Sequence, residues 1–275
     1  MKKHLSGILI AVIFLTGLGI MTYPIVSNFL YQQRCEEEKE RYDADLWGLS
    51  SEECAVLWTA AKEYNRRLAE KPDQFSLTEE EREQVAGYLN PLGIGKMGYV
   101  TIPKIGVDIP IYQGTEEQQL QAGAGWWIGT SLPAGGESTH CVLTAHNGLV
   151  KAKLFTDLDQ LVVGDRFYLA VLDQVLTYEV DRIQVTEPEE REAVLIVPGE
   201  DLVTLYTCTP HGVNTHRLLV RGHRVQTSPE MDGEGGGGIS WWWILPALLL
   251  LAALWVFLSR FCSKRRRGRC GERRL

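Results

Sequence analysis

The chain reads as mainly β, a closed barrel of short strands with helices before it and an apolar membrane-type segment at each end. Three observations predict this. From Gly98 onward, short runs rich in Val, Ile, Thr and Tyr alternate with Gly, Pro and Asp, and no long helical pattern intervenes; that is how a closed β-barrel reads. Ahead of Gly98, apolar residues recur at helical spacing. At each terminus an uncharged run lies next to basic residues.

The N-terminal run follows Met1-Lys2-Lys3-His4, and residues 5–21 carry no charge. A helix of about 18 residues spans roughly 27 Å, near the ~30 Å hydrocarbon thickness. Residues 5–22 are therefore expected to be a transmembrane helix or signal-anchor, with residues 1–4 cytoplasmic. A cleaved signal peptide is the alternative, with Gly17-Leu18-Gly19 as its small-residue site. At the other end, residues 241–258 begin with Trp241-Trp242-Trp243, are uncharged and include Pro246, which a membrane helix tolerates. Lys264-Arg265-Arg266-Arg267 follow within a basic tail, residues 259–275. Lys and Arg mark the cytoplasmic side and Trp the interface. A two-pass membrane protein is expected, with both termini inside and the region between the spans outside the cell. A buried core helix is the alternative for residues 241–258.

The formal net charge is -7 although the tail is strongly basic, so the middle of the chain is acidic. Basic residues cluster at a membrane stop and not on a nucleic-acid surface, so no nucleic-acid partner is expected. The cysteines at 35, 54, 141, 208, 262 and 270 have no metal-site spacing. No metal and no cofactor are expected. Cys141 reads as a small core residue. Cys35 and Cys54 are candidates for a disulfide that sequence alone cannot establish.

Residues 35–96 form a helical region ahead of the barrel. Val56, Leu57, Ala60, Ala61, Tyr64 and Leu68 mark one amphipathic helix. Thr78 with Glu81 forms a capping box that opens a second, running to about Leu89 and stopping near Asn90-Pro91. The barrel is assigned to residues 97–228, with strands near 98–102, 107–112, 140–146, 166–172, 175–186, 193–197, 202–208 and 215–224. Residues 229–240 are a Gly-rich spacer.

The chemistry centres on Thr204-Leu205-Tyr206-Thr207-Cys208-Thr209-Pro210 and Asn214-Thr215-His216-Arg217-Leu218. Two strands joined by a loop with Pro210 and Gly212 bring Cys208 and Arg217 together. A cationic neighbour favours the thiolate, the nucleophilic form of cysteine. On the bland reading Cys208 is a buried strand-end cysteine. The proton carrier is His146 or His140. They share strand parity and lie roughly 20 Å apart along a strand, so only one can serve Cys208. Arg217 has the donors to hold an oxyanion or to position the substrate backbone.

These residues carry a resemblance. Thr-Leu-x-Thr-Cys with His146 upstream and Arg217 downstream is similar to the sortase signature. Met97-Gly98-Tyr99-Val100-Thr101-Ile102-Pro103, Gly129-Thr130-Ser131-Leu132-Pro133, Leu143-Thr144-Ala145-His146 and Lys153-Leu154-Phe155-Thr156-Asp157-Leu158 extend it, with the block from Asn214 to Gly222. Together they resemble class C, pilus-assembling sortases over roughly residues 50–225. The resemblance implies an eight-stranded sortase barrel and selects His146, which follows Leu-Thr-Ala, as general acid/base. Cys208 is then the nucleophile. The implied reaction cleaves an LPXTG-like sorting signal between Thr and Gly through a thioacyl-enzyme. It transfers the acyl group to a pilin lysine amine and so polymerises pili. Pilins or surface proteins with such C-terminal signals are the implied partners. A housekeeping sortase that anchors proteins to the cell wall, a secreted cysteine protease and a non-enzymatic pilus-assembly scaffold are the alternatives.

The resemblance also implies a lid, at Pro72-Asp73-Gln74-Phe75 (residues 72–75), with Asp73 pairing Arg217 and Phe75 covering Cys208. A helix–helix connector is the alternative. Gln74 stands where the family pattern usually has Pro, which removes a fixed φ and predicts a looser loop. Asn147 stands where many relatives have Arg, and Trp126-Trp127 replaces a His-containing pair.

Overall fold

One helix, α1, runs from Lys2 to Leu46 without a break at Pro24. The computed structural model describes residues 2–226, so the expected second span, the spacer from residue 229 and the basic tail lie outside the described residues. The apolar segment and the first part of the pre-barrel region, expected as separate units, are thus one rod. A second helix, α2 (Ser51–Ala69), starts at Ser50, which forms a capping box with Glu53. The expected box at Thr78 forms too: Glu81 N–H donates to Thr78 Oγ1 at 3.2 Å and Thr78 N–H to Glu81 Oε2 at 2.8 Å. It opens α3 (Glu79–Val85), which ends a turn earlier than expected. A short helix, α4 (Glu117–Ala122), was not foreseen.

Eight strands close the barrel: β1 (Lys96–Ile102), β2 (Val107–Gln113), β3 (Ala124–Trp126), β4 (Thr139–Thr144), β5 (Arg166–Val171), β6 (Gln174–Thr186), β7 (Asp201–Thr209) and β8 (His216–Val225). Their order round the barrel is β1-β2-β3-β4-β7-β8-β6-β5, and β5 closes on β1. The β2–β3 and β4–β7 pairs are parallel; the rest are antiparallel. Alternation sorts the side chains of each strand onto two faces. Cys141 and Leu143 of β4, Val203 and Leu205 of β7, and Leu218 and Val220 of β8 enter the main core. The opposite parity, Val142, Tyr206 and Leu219, forms a separate outer cluster with Val194.

Two strand assignments change. β3 is only three residues long and contains Gly125, too short and too plain to show a period. The expected strand at 193–197 is instead an irregular segment opened by a 3-10 turn, Glu192–Val194. Its apolar residues cover the outer face of β4, β7 and β8, and Val194 is fully buried. Side chains supply part of its backbone hydrogen bonding. Gln74 Nε2 donates to Val194 O at 3.4 Å, Ile196 N–H donates to Gln74 Oε1 at 2.9 Å, and His140 Nδ1 lies 2.8 Å from Leu195 O.

The helices are tied to the barrel by polar and aromatic contacts. Lys39 of α1 pairs Asp108 at 2.6 Å, and Tyr42 meets Tyr99 edge-on at 5.7 Å. Lys96, nearly buried, pairs Glu38 at 3.1 Å and lies among the Tyr42, Tyr99 and Tyr112 rings. Asn65 of α2 both donates to and accepts from the Leu132 backbone. Cys35 and Cys54 are buried free thiols, so the candidate disulfide is not formed. Cys141 sits in the core as expected, where burial pushes its thiol well up.

Candidate active site

Cys208 and Arg217 face each other directly in the antiparallel β7–β8 register. Both are partly exposed at one end of the barrel. They share parity with Tyr206 and Leu219, so their side chains stand on the outer face and not in the core. The turn joining the two strands is fixed by Val213 and Asn214 N–H groups donating to Pro210 O at 3.0 and 2.9 Å.

His146 arrives on the other side of Cys208. β4 runs parallel to β7, with Thr144 opposite Tyr206. The pairing continues past the end of β4. Ala145 N–H donates to Tyr206 O at 3.1 Å, and Thr207 Oγ1 donates to Ala145 O at 2.7 Å. Carried two residues further, that register puts His146 level with Cys208. Asn147 fastens the arrangement: its Nδ2 donates to Cys208 O at 2.8 Å, and its Oδ1 lies 2.7 Å from His211 Nδ1. Gly148, at φ +82°, lies against the His211 ring, which an added Cβ would meet at 2.7 Å.

The polar partners of the three differ. His146 Nε2 is buried and has no hydrogen bond, although Glu117 Oε2 of α4 is within ion-pair reach at 3.5 Å. Glu117 is itself held by Gln121, whose Nε2 donates to Glu117 Oε1 at 2.7 Å. Arg217 Nη1 donates to Asn214 O and His216 O, both at 3.0 Å. Burial pushes the Tyr206 hydroxyl up, and the nearby Arg217 guanidinium opposes that shift.

His140, the rival, is a structural residue. It is 1% exposed, its Nδ1 lies 2.8 Å from Leu195 O and its Nε2 2.7 Å from Thr204 Oγ1. Burial lowers its pKa to about 4. Arg221 of the same tier is paired with Asp181 at 2.6 Å.

The 72–75 segment lies against this outer face, but not as the resemblance implied. Phe75 packs on Trp127, ring centroids 6.0 Å apart, under the Arg191 guanidinium at 5.1 Å. Trp127 in turn meets Tyr206 edge-on at 5.3 Å. Phe75 therefore occupies the apolar trough beside the Cys208 mouth. Asp73 is exposed and accepts from Phe75 N–H at 3.0 Å. Among the described residues it makes no ion pair with Arg217, whose fork is turned to its own turn's carbonyls. Gln74 corrects the expectation of a loose loop. It is 6% exposed and bonds Gly129 O, Val194 O and Ile196 N–H. An amide here replaces stiffness of φ with three tethers.

The sequence does not point to Glu117 or Tyr206 as site residues, and it marks Gln74, within the lid segment, and Trp127 only as departures from the family pattern. Tyr206 was findable, because it shares the parity of Cys208. Glu117 was not, because a six-residue helix leaves no periodic pattern.

Comparison with known proteins agrees with this geometry. The sortase domain model matches residues 100–225. Sortase A of Streptococcus agalactiae is 29% identical over 134 residues, 48% of this chain and 53% of that protein. Sortase A of Bacillus anthracis is 29% identical over 131 residues, 60% of its length, so the chain spans only about half to three-fifths of these curated relatives. The solved structures match far more fully. A sortase C1 from Streptococcus agalactiae has TM-score 0.68 and 41% identity, covering 70% of this chain and 100% of that one. A sortase C of Streptococcus pneumoniae, studied for catalysis and pilin substrate specificity, has TM-score 0.62 and 45% identity over 70% of this chain and 97% of its own. Sortase C-1 of Actinomyces oris has TM-score 0.59 and 44% identity over 63% and 98%. A closed barrel of this order, with a thiol and a guanidinium opposed on its outer face, and this identity across whole class C domains place the chain in the sortase family, with the class C sortases.

Proposed function

We propose that the protein is a membrane-anchored cysteine transpeptidase that polymerises pilins, with Cys208 as nucleophile, His146 as general acid/base and Arg217 as oxyanion or substrate-positioning group. The observation that carries this is the juxtaposition of the three on one outer face, by direct register for Cys208 and Arg217 and by continued register for His146. Cys208 Sγ attacks the Thr–Gly carbonyl of an LPXTG-like signal, and negative charge moves to the carbonyl oxygen. Arg217 supplies donors to that oxygen, the largest kind of contribution in acyl transfer. His146 gives a proton to the departing glycine amine. The C–N bond breaks and a thioester remains. A lysine ε-amine of a second pilin then attacks the thioester, loses its proton to His146 and expels the Cys208 thiolate, leaving an isopeptide bond.

The pilin acceptor is favoured by the solved relatives, one of which concerns pilin specificity and another a pilus island of Streptococcus agalactiae. The N-terminal apolar helix fits a membrane anchor. The two-pass topology with both termini inside is part of the same proposal, as is a lid function for Asp73 and Phe75. The test is to incubate the protein with candidate pilins and sequence the crosslink by mass spectrometry. Lysine isopeptides at the Thr of the signal are expected. Wall-linked product would mean a housekeeping role, free carboxylate a protease, and full polymer from Cys208→Ala a scaffold.

A further inference from the structure

The chain from Leu5 to Gln33 has no Asp, Glu, Lys or Arg, and Arg34 is the first charge after Lys3. About 20 residues of helix cross the ~30 Å hydrocarbon layer, and headgroup layers add only ~5–7 Å on each side. Counting from Leu5, the hydrocarbon ends near Pro24, and residues 25–28 fall at headgroup depth. The side chains agree: Tyr23, Ile25, Val26, Phe29 and Leu30 are all exposed, although nothing in a soluble setting rewards that.

That same stretch is already docked on the barrel. Ser27 Oγ donates to Lys151 O at 3.2 Å, Asn28 Oδ1 accepts from Lys153 N–H at 2.8 Å, and Tyr31 hydroxyl donates to Ala122 O at 2.7 Å. The loop after His146 therefore stands level with residues 27–28 of α1. It is bound to its neighbours on the rim. Lys153 Nζ donates to Ile105 O at 2.9 Å, and Lys104 pairs Asp165 at 2.7 Å. On these linked loops Val150, Val162 and Val163 are 58%, 55% and 64% exposed. Lys151 beside them is exposed and makes no ion pair among the described residues.

We propose that this rim, residues 149–153 with 162–163, is a membrane-contact surface that rests in the headgroup layer. The three valines enter the interface and Lys151 meets lipid phosphates. The occupant is a bilayer and not a protein, because an uninterrupted helix fixes the rim at bilayer depth before any partner arrives. The acidic Glu187, Glu189 and Glu190 follow β6 at this end of the barrel, and Glu187 turns to His216 of β8 at 3.3 Å. Cys208, at the C-terminal end of β7, is on this same end of the barrel, so the thiol works close to the lipid surface. The opposite end, where Ser138 precedes β4, faces away from the bilayer.

The test is depth-dependent quenching of the full chain in lipid nanodiscs. A small fluorescent non-natural amino acid is placed singly at Ile13, Val150, Val163 or Ser138, which leaves the native cysteines intact. Lipids spin-labelled near the headgroup are the quencher. Several-fold stronger quenching at 150 and 163 than at 138 is expected, with 13 quenched by lipids labelled deep in the acyl chain. Quenching at 13 but none at 150 and 163 overturns the contact surface while the anchor stands. No quenching at 13 removes the anchor and the surface together. Equal quenching at 138 and 150 overturns the orientation.

Discussion

His140 and His146 sit on one run of chain, with the same parity, on the same outer face, and they do opposite things. Every ring nitrogen of His140 is engaged, one near Leu195 O and the other near Thr204 Oγ1, under a covering segment. At the barrel mouth the covering segment is gone. His146 keeps a buried Nε2 with no hydrogen bond and only a carboxylate at 3.5 Å. The deeper tier continues in the same style, with Arg221 locked to Asp181, whereas Arg217 donates to carbonyls of its own turn and stands beside the Tyr206 hydroxyl. A polar residue whose valences are filled by the fold stabilises it; one left unfilled at an opening has capacity for a reacting group.

The strongest test of this contrast exchanges the two histidines' losses. His146→Ala should lower transpeptidation by about 10²–10⁴, the range for a positioned acid/base, with an unchanged melting temperature. Cys208→Ala should abolish it. A stable, active His146→Ala protein would end the comparison. Arg217→Lys comes next: it keeps charge but loses the planar fork, and about 10²-fold lower kcat is expected with a smaller effect on KM. A normal rate in that variant would assign Arg217 to structure.

His140→Ala should behave in the reverse sense. It leaves Thr204 and the Leu195 carbonyl unsatisfied beside a cavity, a loss of about 2–4 kcal/mol by denaturant unfolding. The sign of its pH dependence is fixed. The native ring has its pKa lowered to about 4 by burial, so the unfolded chain binds the extra proton first as pH falls. Stability is full above about pH 6.5 and drops between there and about pH 4, at up to ~1.4 kcal/mol per pH unit. His140→Gln should flatten this slope whatever its absolute stability, and an unchanged slope would acquit His140.

Gln74→Ala should come next in size. Losing three tethers should free Phe75 from the trough, and labelling of Cys208 by a thiol reagent should quicken several-fold. Asp73→Ala with Phe75→Ala should do at least as much, and unchanged labelling in both variants would remove the lid. Glu117→Gln should act least, altering kcat by about tenfold or less. An unchanged kcat would show the 3.5 Å approach to be incidental.

Most of the barrel was legible because seven of its strands carry β-branched runs bounded by turn residues, and Cys208 with Arg217 was legible because a short loop with Pro210 and Gly212 folds the second strand back on the first. The remainder was hidden for physical reasons. Ala193-Val194-Leu195-Ile196-Val197 has strand composition, yet its backbone bonds go partly to side chains from residues 74 and 140, which no local pattern reveals. The Gln74 position looked like a weakness because only the chain's stiffness was considered, and not what an amide reaches in the fold. The boundary inside α1 was drawn where composition changes from apolar to charged, but helical hydrogen bonding is indifferent to that change. The deep site for Lys96 among three tyrosines is likewise a product of tertiary packing.

The parallel pairing of β4 with β7 joins residues about sixty positions apart, with two further strands of the sheet lying between them in sequence. Contacts of such separation form only after a large loop has closed, and they are slow to assemble. Until that seam zips, imidazole and sulfur have no reason to be neighbours. The grouping of Cys208, His146 and Arg217 therefore forms in the same event that closes the barrel.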